Sequence, residues 1–375
     1  MTQAQILISA GEASGEMYAA RLATVLRARA DVRIFGLGGQ RMREAGVELV
    51  ADSASVAVVG ISEALRRLPA AWSVYRRLAA EAAKRKPRLA ILVDFPDFNL
   101  RLARRLHALG IRIVYFISPQ VWAWRRGRIG LIRKLVERVL CIFPFEEPFY
   151  REAGVPVEFV GHPLVDQVKA KHTREEFAAQ HKLDPRQPII ALLPGSRESE
   201  LAHNLPPMME AVGRLRQANN QCQFVLALAP ELSACGVSGS VRWEPAVRLV
   251  QGETYEALAA ADAAIVSSGT ATVEAALLGT PMVVVYRVSP ASAMVLRRLV
   301  RTPFFSMVNL IAGKRVVPEL IQDDFTPERV AEEVKKLLES PEARVEMKKE
   351  LALVRERLGP GGAIERAAEI IAGML

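Results

Sequence analysis

Residues 90–100, AILVDFPDFNL, run an uninterrupted apolar stretch straight into two carboxylates, Asp94 and Asp97, with Pro96 between them. A carboxylate at that point can take a proton from a hydroxyl, or it can cap the helix that follows. Pro96 keeps Phe95 out of the right-handed α region, so both acids sit in a defined turn. Asp97 precedes FNLRLARRLHALG, a helix pattern ending at Gly110, and is placed to be its N-cap. Three other loops carry chemistry. In ISAGEASGEMYAARL a strand reaches Gly11, then small residues, then a helix for which Ser14 is the expected cap. That loop is either a tight turn or a helix start offering N–H groups to an anion or a sugar hydroxyl. In LLPGSRESEL, Gly195 and Ser196 admit a close backbone approach, and Arg197 brings a fork of donors suited to phosphate. In IVSSGTATVEAALLGTP a strand ends at Val266, and Ser267, Ser268, Gly269 and Thr270 lead into a helix. The free N–H groups there suit a pyrophosphate, and Glu274, about one turn in, can accept hydrogen bonds from a ribose diol. Two such loops in one domain point to a bound nucleotide diphosphate.

These loops need strands to end at them. Apolar runs predict strands at 6–9, 32–35, 90–93, 111–116, 139–143 and 157–160, with helical stretches between. Such alternation implies parallel βαβ units. A polar helix and KLDPRQP interrupt the pattern, which then restarts with PIIALLPGSRESE, FVLALAP, VRLVQG, AAIVSSG and PMVVVYRV. The expected fold class is therefore α/β, with two doubly wound Rossmann-like domains facing across a cleft. In open parallel sheets, ligands sit outside the carboxyl ends of the strands, where all four loops lie. The expected domains are 1–165, 166–345 and a pair of C-terminal helices, 346–375, packing back on the first. GLGGQRM resembles a dinucleotide fingerprint, but Arg41 stands where the third glycine belongs, and the P-loop ending Gly-Lys-Ser/Thr is missing. No NAD and no other cofactor is expected.

Composition narrows the rest. No run approaches the roughly 18–20 apolar residues of a spanning helix, and MTQAQILISAGE lacks the basic and apolar regions of a signal peptide. Cys141, Cys222 and Cys235 are scattered, without metal-ligand spacing, so a reducing cytoplasm and no metal are expected. The net charge of +9 admits nucleic acid, anionic membrane or phosphorylated substrate as partner. Residues 66–88 mix Arg and Lys with Leu68, Trp72, Val74, Tyr75 and Leu78, either a solvated helix face or one that meets anionic headgroups. Residues 293–305, AMVLRRLVRTPFF, are a second such patch. No recognised nucleic-acid module is present.

Taken together, GEASGE, GLGGQRM, VVGISEAL, VDFPDFN, SPQVWAWRRGR, PFEEPFY, GHPLVD, LLPGSR, SSGTATVEAAL, PMVVVYR and VNLIAGKRVVPELIQ resemble the lipid-A-disaccharide synthase family, inverting glycosyltransferases of the GT-B fold. SPQVWAWR and VNLIAG with VPELIQ are the specific matches; Glu16 stands where the family often has Asp. The resemblance implies transfer of 2,3-diacylglucosamine from UDP to the 6-hydroxyl of 2,3-diacylglucosamine 1-phosphate, giving a β-1,6-linked disaccharide 1-phosphate and UDP. It implies Asp94 as general base, no metal, UDP held in the second domain and the acceptor in the first. On the donor side it adds Asn309, Glu319 and Gln322 to Ser196, Arg197, Ser268, Gly269, Thr270 and Glu274. The acceptor side is expected to involve Gly11, Ser14 and Glu16, with Trp122 and Trp124 as candidates to line an acyl-chain groove or to pack in the core. His162 sits at the domain junction, with a structural role at least as well supported as a ligand contact. The enzyme is expected on the cytoplasmic face of the inner membrane, held peripherally by anionic lipid; a homodimer is left open. The rivals are a UDP-N-acetylglucosamine 2-epimerase-like enzyme of the same fold and a basic nucleic-acid-binding protein.

Overall fold

A computed structural model describes residues 3–55, 61–122, 126–230, 232, 246–290, 293–294 and 302–375. The chain divides into two compact units, residues Met1–Pro163 with Leu358–Leu375, and Leu164–Arg357.

The first unit holds seven strands: β1 Ala4–Ala10, β2 Val32–Gly38, β3 Glu48–Asp52, β4 Leu89–Val93, β5 Arg112–Phe116, β6 Arg138–Cys141 and β7 Val157–Phe159. They form one sheet in the order β3-β2-β1-β4-β5-β6-β7, every described pair parallel. The second unit holds β8 Ile189–Leu193, β9 Gln223–Leu228, β10 Val247–Gln251, β11 Ala263–Ser267, β12 Met282–Tyr286 and β13 Glu319–Ile321. Their order is β10-β9-β8-β11-β12-β13, again parallel. All five residues of β4, β8 and β11 are buried, as expected of strands covered by helices on both faces. In each sheet the strand order reverses once, between β1 and β4 and between β8 and β11. Those two points are where an open parallel sheet leaves a crevice for a ligand.

The strands predicted from apolar runs are present. Two others, β3 and β13, carry no such run, because each lies at a sheet edge and is only partly buried. The C-terminal passage differs from the expectation of a pair of helices starting at 346. The helix Pro341–Arg357 belongs to the second unit, where Met347, Leu351 and Val354 are buried and Arg355 donates to the carbonyl of Leu277 at 2.8 Å. Only Leu358–Leu375 joins the first unit. The break falls in Gly-Pro-Gly-Gly, where Gly359, Gly361 and Gly362 have φ of 96°, 86° and 66°, values that disfavour a side chain. The last helix, Ala363–Gly373, then packs on the helix Ala13–Arg29, and Arg366 donates twice to the carbonyl of Val160, at 2.6 and 2.9 Å.

Candidate functional site

At the first reversal, β4 delivers Asp94 into a backbone that few residues adopt. Asp94 and Phe95 have φ of 45° and 50°. Left-handed geometry costs an L-residue other than glycine roughly 1–2 kcal/mol. Hydrogen bonds offset it. The Asp94 carbonyl accepts from the Tyr115 hydroxyl at 2.7 Å and from Asn99 Nδ2 at 2.8 Å. Pro96 occupies the first position of the helix Pro96–Ala108, where its missing N–H is harmless. The half-buried Asp94 carboxyl is pushed up to about 7, first by burial and then by the charge of Glu12, against a hydrogen bond from the Phe95 backbone. A carboxylate with that value suits proton removal near neutral pH.

Asp97 does not cap the helix. Phe95 is the N-cap and makes no side-chain cap bond, while exposed Asp97 lies in the first turn and pairs with Arg128. Ser14 is likewise inside its helix; Glu12 precedes the helix Ala13–Arg29, without a side-chain cap bond. Gly11 has a packing reason: a Cβ there would lie 2.2 Å from the Phe95 ring. At Gly15 a Cβ would lie 3.6 Å from that of Asp94, so GEASGE and VDFPDFN pack together as one piece. Glu16 accepts the Arg41 N–H at 2.9 Å, and a Cβ on Gly39 would meet its carboxylate at 2.7 Å. It therefore ties the GLGGQRM turn to the start of the helix.

Trp122 is a core anchor rather than a groove wall. It is 7% exposed, and its Nε1–H donates to Glu146 at 3.1 Å. Glu146 also accepts from the Ser118 hydroxyl at 3.1 Å and the Phe143 N–H at 3.2 Å, and burial pushes its carboxyl up to about 7. Trp124 lies outside the described residues. His162 is buried against the Phe143 ring, with centroids 5.0 Å apart, and burial pushes its imidazole down to about 3. At 3% exposed and packed on that ring, it fits the structural role better than a ligand contact. A cavity of about 290 Å³ lined by His107, Arg112, Lys134 and Glu137 opens at the amino ends of β5 and β6, away from this chemistry.

At the second reversal, β8 ends in Pro194, Gly195, Ser196 and Arg197, followed by the helix Glu198–Ala218. Glu200 accepts the Ser196 N–H at 2.9 Å and Arg197 Nη1 at 3.1 Å, which holds the loop in shape. The neighbouring β11 ends at Ser267; exposed Gly269 and Thr270 then open the helix Thr270–Leu277. Glu274 is half-buried, its carboxyl pushed up by burial, and it accepts from the Tyr255 hydroxyl at 3.3 Å. The Ser268 hydroxyl donates to the Phe305 carbonyl at 2.9 Å, and the Phe305 N–H donates to Glu319 at 3.1 Å. Glu319 accepts further from the Ser306 N–H at 2.8 Å and Asn309 Nδ2 at 2.9 Å. The Asn309 amide is fully engaged, since Nδ2 also donates to Val317 O and Oδ1 accepts from the N–H groups of Val316 and Val317. Gln322 has φ of 57°, and its carbonyl accepts from Arg287 at 3.3 Å. Ser196, Arg197, Ser268, Gly269, Thr270 and Glu274 thus gather at the carboxyl ends of two adjacent strands, with Glu319 joined to them through Phe305.

Residues beyond the sequence-based candidates complete both points. In the second unit, buried Asn204 donates to Pro194 O at 2.9 Å and Ser267 Oγ at 3.1 Å, and accepts the Arg287 N–H at 2.9 Å. It stitches together the ends of β8, β11 and β12. Asn99 does the same between β1 and β4. The available signal was an asparagine on the apolar face of a helix, a place where a polar side chain must find partners. Among the described residues, no group of three His, Cys, Asp or Glu is arranged to hold a metal ion.

The family model described as lipid-A-disaccharide synthetase matches residues 6–370. A lipid-A-disaccharide synthase of Myxococcus xanthus is 48% identical over 99% of this chain and 97% of its own. One from Geobacter sulfurreducens is 44% identical, covering 100% of this chain and 98% of its own. Among solved structures, UDP-GlcNAc 2-epimerase from Neisseria meningitidis bound to UDP-GlcNAc aligns over 99% of this chain and 100% of its own, with a TM-score of 0.65 at 12% identity. MurG of Acinetobacter baumannii aligns over the same shares with a TM-score of 0.58 at 13% identity. At such low identity these two speak for the fold alone.

Proposed function

The chain belongs to the lipid-A-disaccharide synthetase family, and from that premise we propose how its residues divide the reaction. The protein is a glycosyltransferase of the GT-B fold, transferring a sugar from a sugar nucleotide to a lipid acceptor. The donor is UDP-2,3-diacylglucosamine; its anomeric carbon is attacked by the 6-hydroxyl of 2,3-diacylglucosamine 1-phosphate, with inversion and loss of UDP. Asp94 removes the hydroxyl proton as the new bond forms. The observation that carries this role is a carboxyl held at about 7 at the mouth of β4, beside the strand-order reversal. In the second unit, Arg197 and the N–H groups of Gly269 and Thr270 neutralise the departing diphosphate, since the N–H groups of Ser196 and Ser268 donate to Glu200 and to the Val285 carbonyl. That is the electrostatic help that a metal supplies in other transferases. Glu274 receives the ribose hydroxyls. Glu319 shapes the 305–319 turn beside Ser268, with one carboxylate oxygen less heavily engaged than the other.

The epimerase and nucleic-acid readings are not favoured, because the family match runs through both units. The assay that tests the reaction measures UDP release with and without diacylglucosamine 1-phosphate, in EDTA. Release is expected only with the lipid acceptor, with a β-1,6 linkage in the product and no loss of rate on chelation. UDP release without acceptor, or a requirement for added magnesium, would count against this reading.

Both substrates carry acyl chains that stay in a bilayer, so the enzyme works at the cytoplasmic face of the membrane as a peripheral protein. No helix among the described residues is long and apolar enough to cross a membrane. What supports docking is the helix Ile61–Arg85. Its Val74 and Leu78 are core residues, which removes them from the contact face, while Trp72 is 59% exposed beside exposed Arg76 and Arg77. Met294 and Phe305, at 62% and 48% exposed, belong to the second candidate patch. Cosedimentation with anionic vesicles is expected to weaken as salt rises and in Trp72→Ser. Equal binding to neutral and anionic vesicles would rule out the charge-assisted mode.

A further inference from the structure

The peptide that joins Asp94 to Phe95 is gripped by side chains that take no part in proton transfer. We propose that Tyr115 and Asn99 are positioning residues for the base, fixing that peptide in its left-handed form and so aiming the Asp94 carboxylate. The inference rests on Asp94 being the base.

A backbone carbonyl has two lone pairs, and both on Asp94 are occupied by side-chain donors, the Tyr115 hydroxyl at 2.7 Å and Asn99 Nδ2 at 2.8 Å. Asn99 Nδ2 also lies 3.2 Å from Val93 O and 3.3 Å from Ser9 O, so one amide gathers the ends of β1 and β4. The orientation of that amide is set by these three carbonyls, which can only accept, and the Ser9 hydroxyl adapts to it by donating to Asn99 Oδ1 at 2.7 Å. Nitrogen rather than oxygen therefore faces Asp94. Ser9, Asn99 and Tyr115 are each 0% exposed, so water does not compete for these bonds. They come from a strand, a helix and a second strand, which leaves the peptide little freedom to rotate.

The chemistry of Tyr115 points the same way. Its ring fills the core between the sheet and its helices, a task that phenylalanine performs equally well. The hydroxyl requires a buried partner, and that partner is the carbonyl of the catalytic residue. Two successive left-handed residues that are not glycine would relax toward commoner geometry if the grip were loosened, and the carboxylate would turn with them.

Tyr115→Phe keeps the ring and removes one bond. Its single-turnover rate is expected to fall about ten- to a hundredfold, as small misplacements of a reacting group do. KM for either substrate and UDP affinity by calorimetry are expected to stay within about twofold, since ground-state binding is untouched. The decisive measurement is the double variant. If Tyr115 acts through Asp94, Tyr115→Phe lowers the rate no further in an Asp94→Asn background. An unchanged rate in Tyr115→Phe, or the same proportional fall in both backgrounds, overturns the proposal while leaving the base in place. A wild-type rate in Asp94→Asn alone overturns the base assignment and the positioning with it. Ser9→Ala leaves the buried Asn99 Oδ1 without its donor and so loosens the amide's grip on Asp94; its rate is expected to fall in the same direction as that of Tyr115→Phe, and it carries the same cycle if the tyrosine variant does not fold.

Discussion

Asp94→Asn is expected to lower the single-turnover rate of transfer by about 10²–10⁴-fold, the usual contribution of a positioned general base. It is also expected to make the protein more resistant to heat above pH 7. The second effect follows from the direction of the Asp94 shift, from an ordinary 3.8 up to about 7 in the folded chain. Between those values the folded protein keeps a proton that the unfolded chain releases. Stability therefore falls as pH rises through this window, and the whole cost is present above it. Asparagine has no charge to bury and escapes the cost. The difference in melting temperature between variant and wild type should be small near pH 4 and should grow to a plateau just above pH 7. Glu146 titrates in a similar range, but it is present in both proteins and cancels in the difference. UDP affinity should be retained. Near-wild-type rates would remove Asp94 from the chemistry, and a variant that melts earlier at every pH would overturn the argument from its buried charge.

Asn309→Ala is expected to be the most damaging change on the donor side, through folding rather than through lost contact with UDP. Its amide makes four hydrogen bonds, to the N–H groups of Val316 and Val317, to Val317 O and to Glu319. The residue is 0% exposed, so alanine leaves those groups without a replacement from water. Removing one partner of a buried hydrogen bond costs roughly 1–3 kcal/mol, and a buried network can exceed that. A loss of about 3 kcal/mol or more is expected, read as a lower urea midpoint. Asn309→Asp is expected to fare no better, because it turns an acceptor toward Glu319 and toward Val317 O. An unchanged midpoint together with weakened UDP binding would instead put Asn309 at the ligand.

Most of the framework was legible in the order of residues. Apolar runs such as 90–93 and 189–193 mark strands buried on both faces, and the loops that follow carry the polar residues. Both are local properties, visible within a few positions. Helix caps were less legible, because a cap depends on one residue's backbone angles. Asp97 has the right composition for a cap, yet Phe95 takes that position in left-handed form, and Asp97 finds Arg128, 31 positions away. Trp122 in SPQVWAWR reads equally as groove or core until Glu146, 24 positions on, claims its indole N–H. Sequence resemblance placed Asn309 near the donor but carried no sign that its amide is saturated by its own turn.

The sequence by itself therefore determined the α/β class, the family, the strands and the loops that line their carboxyl ends, because burial and turn chemistry are written in short-range pattern. Tertiary structure alone decided which strand ends become neighbours. Pairing of β1 with β4 brings Ser9 to Asn99 across 90 positions, and pairing of β8 with β11 brings Ser267 to Asn204 across 63. Each bond joins groups that have no water to turn to, so its partner is set by strand order. The base takes its aim, and the raised pKa of its carboxyl, from that arrangement.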